Sequence, residues 1–457
     1  MSNDPTIAHP VIFPDLFDRP LVATFDQPHA SSDGGAVLLK AVDRKLDLTR
    51  RLAASLTDRR APDRVTHSLA DLLAQRVFGL ACGYADGNDA DRLAEDPIQK
   101  LLLDRHPVHG HALASQPTVS RFENAIAPRA LYQMGRELAA TVIDRHRQRL
   151  AGRARRITID LDVTDDPTHG AQQLSFFHGH YDTWCYLPLL AFVTFNDEAD
   201  AYLCAAVLRP GNAASAAGAQ GVLRAIYTLI RSAFAHTTVR VRLDGGFATP
   251  ALLDYLDLIG VEYVVAMAEN AVLARRAEPQ MGDVRTAVAT TGATAHVYGD
   301  TVYAARSWSR DRRVIIKAEV VALAGRAPRD NARFVITNLT QTPRWIYETV
   351  YCQRGEIENR IKELHHGLEI DRTSCTRFWA NQFRVLLTAA AYVLLLELRR
   401  HAARTMYARA QVSTLRERLL KIGVRVVASV RRFVLHLPAA YADREAWTRI
   451  ARRVGAT

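Results

Sequence analysis

The strongest constraint on the fold is an eight-residue stretch in which apolar and polar side chains alternate. Ile, Leu or Val occupies the odd positions from 157 to 163, and Thr or Asp occupies the even positions from 158 to 164. A period of two predicts a β-strand that buries one face. The same reasoning predicts further strands at 186–195, 201–208, 238–243 and 261–267, with helices at 215–234 and 250–258. Three strands followed by helix, strand, helix and strand predict a mixed α/β sheet.

A chain of 457 residues exceeds one compact core, so we expect several structural units. Residues 1–150 carry helical periodicity, and the helix that begins at Pro117 is either a DNA-recognition helix or a plain bundle helix. Between 270 and 345 the alternation of strand and helix stops, and three antiparallel strands are predicted at 297–307, 313–321 and 333–339. Helices return at 346–366 and 378–399, and a hairpin at 424–428 and 432–437 precedes a basic helix. The predicted units are therefore a helical DNA-binding domain (1–150), a catalytic core in two parts (151–269 and 346–402), a β-rich insertion (270–345) and a basic C-terminal region (403–457).

The charge balance favours a polyanionic partner. Lys and Arg number 59 against 48 Asp and Glu, which gives a net charge of +11. Nucleic acid is the commonest such partner, although a GC-rich genome also raises the Arg content. The five cysteines form no CxxC pair, which argues against a disulfide framework and favours a reducing cytosol. No signal peptide is recognisable, and the longest apolar run, near 386–396, is too short to span a bilayer, so no membrane association is expected.

Carboxylates stand at three places where a metal ion could use them. Asp160 and Asp162 share the polar face of the first strand, and Asp244 ends the strand at 238–243 before two glycines. Glu358 lies in the helix after the insertion. Each has a commoner explanation when taken singly: a polar sheet edge, a turn former, or an exposed ion pair of Glu358 with Lys362. Their combination on a basic chain favours a site for Mg²⁺, which prefers hard oxygen ligands.

The helix that carries Glu358 gathers several functional side-chain types on one stripe. At about 100° per residue, Tyr351, Arg354, Glu358, Lys362 and His365 are predicted to lie on one stripe along the edge of the helix. The adjacent stripe of Ile357, Ile361 and Leu364 is predicted to face the core. Such a helix is suited to gripping a phosphate backbone while holding a metal.

The spacing of Tyr351, Arg354 and Glu358 resembles the Tyr-x2-Arg-x3-Glu signature of DDE transposases from bacterial insertion sequences. The segments Arg242–Phe247 and Asp160–Gly170 resemble those that carry the second and first catalytic Asp, and the likeness runs from about 157 to 377. In place of the Lys that usually follows seven residues after the Glu, this chain has His365. The usual Asp-x-Thr pattern favours Asp162 as the first Asp, with Asp160 as the alternative.

The resemblance implies an RNase H-like mixed sheet with a β-rich insertion, preceded by a mainly helical domain. It implies that Asp162, Asp244 and Glu358 bind two Mg²⁺ or Mn²⁺ ions, and that DNA is contacted by Tyr351, Arg354, Lys362 and His365. It also implies a cytoplasmic, nucleoid-associated protein that acts on terminal inverted repeats and target DNA, as a homodimer on the DNA ends. Trp308 is either a base-stacking residue or a core tryptophan. Two alternatives remain open: a catalytically silent DNA-binding remnant, and a nuclease that cuts without joining.

Overall fold

The computed structural model describes residues 10–457. Its N-terminal part is mainly helical, as predicted, after three short strands. The elements are β1 (Val11–Phe13), β2 (Leu21–Ala23), β3 (Ala30–Ser31), α1 (Val37–Leu46), α2 (Leu48–Ala53), α3 (Leu69–Ala81), α4 (Asp89–Leu93), α5 (Pro97–Leu102), α6 (Gln116–Ala125) and α7 (Pro128–Arg149). Short 3₁₀ turns at Gly34–Ala36 and Pro62–Arg64 precede α1 and α3. Helix α6 buries Val119 and Phe122 in the core, and its role in DNA recognition stays a prediction.

The central part of the chain forms the predicted mixed sheet. Its elements are β4 (Arg156–Val163), β5 (Asp166–Pro167), β6 (Phe176–His178), β7 (Thr183–Tyr186), β8 (Leu189–Phe195), β9 (Tyr202–Val207), α8 (Ala219–Ala233), β10 (Thr238–Leu243), α9 (Pro250–Leu258) and β11 (Glu262–Met267). Five of these strands lie side by side in the central sheet, in the order β9-β8-β4-β10-β11. Strand β10 is parallel to both β4 and β11, whereas β4, β8 and β9 form an antiparallel meander.

The strand predicted at 186–195 is interrupted. Strand β8 begins at Leu189, and Tyr186 belongs to a separate three-stranded sheet with the order β5-β7-β6. This small sheet emerges from the carboxyl end of β4 and returns the chain to β8. It therefore lies at the edge of the central sheet where β4 ends.

The segment 270–345 is less β-rich than predicted, because it begins with a helix of 21 residues, α10 (Ala271–Thr291). Pro279 lies inside this helix, and a helix interior is where proline is least expected. The predicted strands follow as β12 (Ala295–Tyr303), β13 (Arg312–Val321), β14 (Arg329–Asp330) and β15 (Arg333–Thr337). They do not form a sheet of their own: β15 pairs with β11, β13 with β15, and β12 with β13. The predicted insertion is thus an extension of the central sheet.

After β15 the chain returns to helix. Residues 343–368 run through α11 (Pro343–Trp345), a π turn (Ile346–Tyr351), a 3₁₀ turn (Cys352–Arg354) and α12 (Gly355–Leu368). The remaining elements are α13 (Phe378–His401), α14 (Val412–Leu415), a π turn (Arg416–Leu420), β16 (Val424–Ala428), β17 (Phe433–His436) and α15 (Arg444–Val454). The predicted hairpin is confirmed, and β16 also pairs with β3 of the N-terminal part.

Helix α13 is the central helix of the core. It is long and apolar enough to cross a bilayer, but 94% of its most apolar window is buried inside the protein, as in the core helix of a soluble domain. It packs against α3, α7 and β9, so it joins the N-terminal helices to the sheet. The long apolar helix predicted at 378–399 is therefore a core helix.

Candidate active site

Asp162 and Asp244 are brought together by the pairing of two parallel strands. Asp160 of β4 is in register with Arg242 of β10; Asp162 lies two residues further along β4, and Asp244 follows directly after β10. Both strands run in the same direction, so both carboxylates lie at the same edge of the sheet. The carboxyl edge of an open α/β sheet is where ligands usually bind.

The guanidinium of Arg354 lies between these two carboxylates. Its Nη2 atom is 2.8 Å from Oδ2 of Asp162 and 3.6 Å from Oδ2 of Asp244. The family resemblance implies a contact of Arg354 with DNA, and in the structure Arg354 supplies the positive charge between the two aspartates. Its Nε atom is buried and has no hydrogen-bond acceptor among residues 10–457, whereas Nη2 is held by the ion pair with Asp162.

Glu358 lies one helical turn after Arg354 on α12 and is exposed to solvent. Among the described residues it forms no ion pair with Lys362 or with any other basic group. The surface pair considered for Glu358 is therefore not formed. The negative charge of Glu358 raises the pKa of Asp162, so the two carboxylates interact electrostatically.

The pKa of Asp162 is raised to about 6, chiefly because burial removes the carboxylate from water. The positive charge of Arg354 lowers this pKa, whereas the charges of Asp244 and Glu358 raise it. The charges of Asp244 and Glu358 thus act on Asp162, but among residues 10–457 the three carboxylates do not form a group close enough to hold a metal ion. These negative charges attract a cation.

Asp160, the alternative for the first Asp, has a different role. Its side chain is fully buried, and both of its oxygens accept hydrogen bonds from Arg242, at 2.7 Å from Nε and 2.8 Å from Nη2. Arg242 also donates to the main-chain oxygen of Val350, at 3.1 Å. The pair therefore fixes the π turn before Arg354 against the sheet, and it leaves Asp162 as the Asp of β4 that is not paired with Arg242.

The π turn at Ile346–Tyr351 places Tyr351 beside the carboxylates. Burial raises the pKa of the Tyr351 hydroxyl, which Arg354 lowers and Asp244 raises. The ring packs on Tyr347 with centroids 5.4 Å apart. π turns inside helices are frequent at functional sites, because they shift the side chains that follow.

Lys362 and His365 lie further along the same stripe of α12 but differ in their surroundings. Lys362 is exposed. His365 has partners on both ring nitrogens: Nε2 is 2.9 Å from Oγ1 of Thr164, and Nδ1 is 3.0 Å from Oδ2 of Asp371. Thr164 follows Asp162 by two residues. His365 therefore joins the helix of Glu358 to the strand of Asp162, and the prediction that it contacts phosphate would require one of these bonds to open.

The core face of α12 is anchored by a buried acid, Glu363, which helical periodicity places away from the stripe of Glu358. Glu363 accepts hydrogen bonds from Arg399 at 3.0 Å and from the Tyr392 hydroxyl at 2.7 Å. Ile357 and Leu364 are buried beside it, as predicted. These contacts hold α12 against α13.

Trp308, the other residue with an open assignment, packs as a core tryptophan. Its ring lies edge-on to Tyr303 with centroids 5.3 Å apart, and the guanidinium of Arg312 lies 5.2 Å from the ring centroid. The ring also contacts the main hydrophobic core. The contacts of Trp308 are therefore those of a packed tryptophan.

The family described as transposase DDE domain group 1 matches residues 13–456. The chain belongs to this DDE transposase family. The transposase is also similar to a piggyBac transposase solved as a synaptic complex with hairpin DNA, at 9% identity and a TM-score of 0.40, over 92% of this chain and 85% of that chain. No curated protein matches the transposase sequence.

Proposed function

We propose that this DDE transposase cuts DNA at the ends of an insertion sequence and joins the freed ends to target DNA. The observation that carries the proposal is the convergence of Asp162 and Asp244 on one cationic nitrogen, within reach of the charge of Glu358. The strand order β9-β8-β4-β10-β11, with only β8 antiparallel to its two neighbours, supports an RNase H-like core.

The donor set suits divalent cations. Asp162, Asp244 and Glu358 would hold Mg²⁺ or Mn²⁺ through carboxylate oxygens, the ligands that these ions prefer. Among residues 10–457, no three His, Cys, Asp or Glu side chains already form a metal-binding group, and Arg354 supplies the positive charge between the two aspartates. A pair of bound ions would activate the attacking hydroxyl and stabilise the leaving oxygen of a phosphodiester.

The chain's own residues would hold the DNA around these carboxylates. The buried Nε of Arg354 lacks an acceptor among the described residues, and a phosphate oxygen is the acceptor that a guanidinium binds best. Tyr351 lies beside Arg354 and would orient the same phosphate. Lys362 is exposed one turn beyond Glu358, where it would bind the backbone of the DNA strand.

The role we propose for His365 is to position the other residues. Its two hydrogen bonds join Thr164 to Asp371 and so fix the distance between the strand of Asp162 and the helix of Glu358. A carboxylate site that must hold small ions needs such support from neighbouring residues. The protein would work in the bacterial cytoplasm as a homodimer on paired inverted repeats.

The test uses a plasmid that carries the DNA flanking the reading frame on both sides. We expect nicks at the element ends that require Mg²⁺ or Mn²⁺, and we expect a pre-cut end to be joined to target DNA. Asp162→Asn, Asp244→Asn and Glu358→Gln should each abolish cleavage while the protein still binds the end DNA. The matched control is Asp283→Asn, an exposed carboxylate on α10.

The two alternatives give different results in the same assay. A nuclease would cut the ends but leave a pre-cut end unjoined. A catalytically silent remnant would bind the ends without cutting them. Cleavage that persists in Asp244→Asn would contradict the assignment of the site.

A further inference from the structure

The strand pair at the start of the described chain is an apolar arm that stands apart from the hydrophobic core. Every residue from 10 to 30 is exposed, and β1 and β2 pair only with each other. We call residues 10–26 the arm. An isolated two-stranded hairpin is at best marginally stable in water, and a large exposed apolar patch usually marks a binding surface. The exposed apolar side chains of the arm are Val11, Ile12, Phe13, Leu16, Phe17, Leu21, Val22 and Phe25.

The tip of the arm combines two apolar side chains with two acids. The turn between β1 and β2 contains Asp15, Leu16, Phe17 and Asp18 in sequence, and Leu16 is 60% and Phe17 64% exposed. Neither aspartate has an ion-pair partner among residues 10–457. Over residues 11–26 three Asp stand against one Arg, so the arm is acidic on a basic chain. An acidic arm is unsuited to the phosphates of DNA and suits an apolar surface with a basic rim.

A groove of matching chemistry lies between α7, α8, β9 and the start of α13. Its volume is about 380 Å³, and its lining is almost entirely apolar and contains no acidic residue. Small residues on the facing helices, Gly135 and Ala139 of α7 and Gly221 and Ala225 of α8, leave this space open. Tyr132 at the groove is 65% exposed. The groove can therefore receive apolar side chains from outside the chain.

Two exposed arginines on α7 give the groove a basic rim. Arg136 lines the groove, and Arg129 lies seven residues earlier, within about 20° of the same direction and about 10 Å away along the helix. Neither has an ion-pair partner among residues 10–457. Asp15 and Asp18 are three residues apart, which spans at most about 10–11 Å. The spacing of the two acids therefore matches that of the two arginines, and the apolar residues between the acids match the groove.

We propose that the tip of the arm of one copy of this protein inserts into the groove of a second copy. Leu16 and Phe17 fill the apolar groove, and the two acids of the tip pair with Arg129 and Arg136. The arm is exposed and does not fill the groove of its own chain. Each copy carries one arm and one groove, so a two-fold dimer exchanges both arms and leaves neither surface open.

The first test is self-association, measured by sedimentation of the full-length protein without DNA. We expect a monomer–dimer equilibrium whose dissociation constant is raised at least about 30-fold by Phe17→Ala, the loss that removal of one anchor side chain from an interface gives. The matched control is Leu258→Ala, which removes a leucine that is 82% exposed on α9, outside the arm and the groove. This control should leave the dissociation constant unchanged.

Charge reversal tests the groove and shows whether the contact joins two copies. One variant carries Asp15→Arg and Asp18→Arg, and the other carries Arg129→Asp and Arg136→Asp. Each alone should weaken the dimer more than about tenfold, because like charges then meet at the rim. An equimolar mixture of the two should dimerise like the wild type, because each arm then meets a groove of opposite charge. Mixing would not restore a contact made within one chain.

Three results would overturn the proposal. They are a wild-type protein that remains monomeric at its highest soluble concentration, a mixture of the two charge variants that remains monomeric, and a Phe17→Ala variant that dimerises normally but loses affinity for duplex DNA, which would make the arm a DNA contact. The inference specifies contacts of the homodimer in the proposed function but does not depend on catalysis. Asp244→Asn should dimerise like the wild type whether or not the wild type cleaves DNA, so the two proposals fail separately.

Discussion

The Nη2 atom of Arg354 lies 2.8 Å from Oδ2 of Asp162, and both side chains are largely buried. Because burial raises the pKa of Asp162 to about 6 and Arg354 lowers it, the guanidinium stabilises the ionised aspartate. Asp244 is held near the same nitrogen. Arg354 therefore neutralises the site, and a divalent ion would neutralise the same carboxylates.

Replacing Arg354 with Gln should destabilise the protein in the absence of divalent ions. Loss of one partner of a buried ion pair costs about 3–5 kcal/mol, although protonation of Asp162 would reduce this cost. Added Mn²⁺ should raise the melting temperature of the variant more than that of the wild type. Thermal unfolding with and without Mn²⁺ measures both effects, and the exposed Arg344→Gln is the control. An equal response of variant and wild type to Mn²⁺ would contradict the shared role.

Replacing each aspartate of β4 with Asn should affect different properties: stability at Asp160 and cleavage at Asp162. Asp160→Asn removes the charge that balances buried Arg242 and should lower the free energy of unfolding by about 3–5 kcal/mol. Asp162→Asn should cost less, because burial already disfavours the charge on Asp162, but it should abolish cleavage. Urea unfolding and a cleavage assay on both variants separate the roles. A stable, inactive Asp160→Asn variant would reverse the assignment.

Substitutions of Lys362 and His365 on α12 should have different effects on DNA binding and on cleavage. Lys362→Ala should weaken binding to DNA and reduce the slope of log affinity against log salt by about 1, because it removes one phosphate contact. His365→Ala should leave that slope unchanged and reduce cleavage, because it removes the link between Thr164 and Asp371. Binding affinities at several salt concentrations measure the slope, and cleavage rates measure the effect on catalysis. A change of slope in His365→Ala would instead favour direct contact with phosphate.

Because His146 is buried, the free energy of unfolding should decrease as the pH is lowered. Its pKa is lowered to about 3, chiefly by burial and then by the charge of Arg149, and its ring stacks on Phe195. An unfolded histidine has a pKa of about 6.5, so between these values the unfolded chain binds a proton that the folded protein excludes. The unfolding free energy should therefore fall by up to about 1.4 kcal/mol per pH unit below pH 6.5. Urea unfolding at several pH values should show a shallower fall in His146→Gln and no change in slope in the exposed His236→Gln.

The central strands could be predicted from the sequence to within a few residues. Strands β4 and β10 bury one face or both, so their apolar pattern identifies them. Asp162 and Asp244 were then indicated because each lies near the carboxyl end of one of these strands. Helix α10 was missed because Pro279 interrupts its pattern. The pattern also could not show that β15 pairs with β11, because pairing between distant strands depends on three-dimensional packing.

The supporting contacts of the site were not accessible from the sequence for a similar reason. The pair of Asp160 with Arg242 depends on the register of two strands separated by 82 residues. The contact of His365 with Thr164 spans 201 residues. Residue type and spacing along one helix indicated Arg354 and Glu358, whereas the position of Arg354 between two aspartates required the fold.

The most direct test of the account is the position of Mn²⁺ in crystals of the full-length protein, measured by anomalous scattering. We predict a peak within about 2–2.5 Å of carboxylate oxygens of Asp162 and Asp244, with Arg354 displaced from between them and Glu358 turned toward the ion. The same crystals of Asp244→Asn should show no peak at that position. A wild-type crystal in which Mn²⁺ binds elsewhere, while Arg354 remains between the two aspartates, would contradict the carboxylate site.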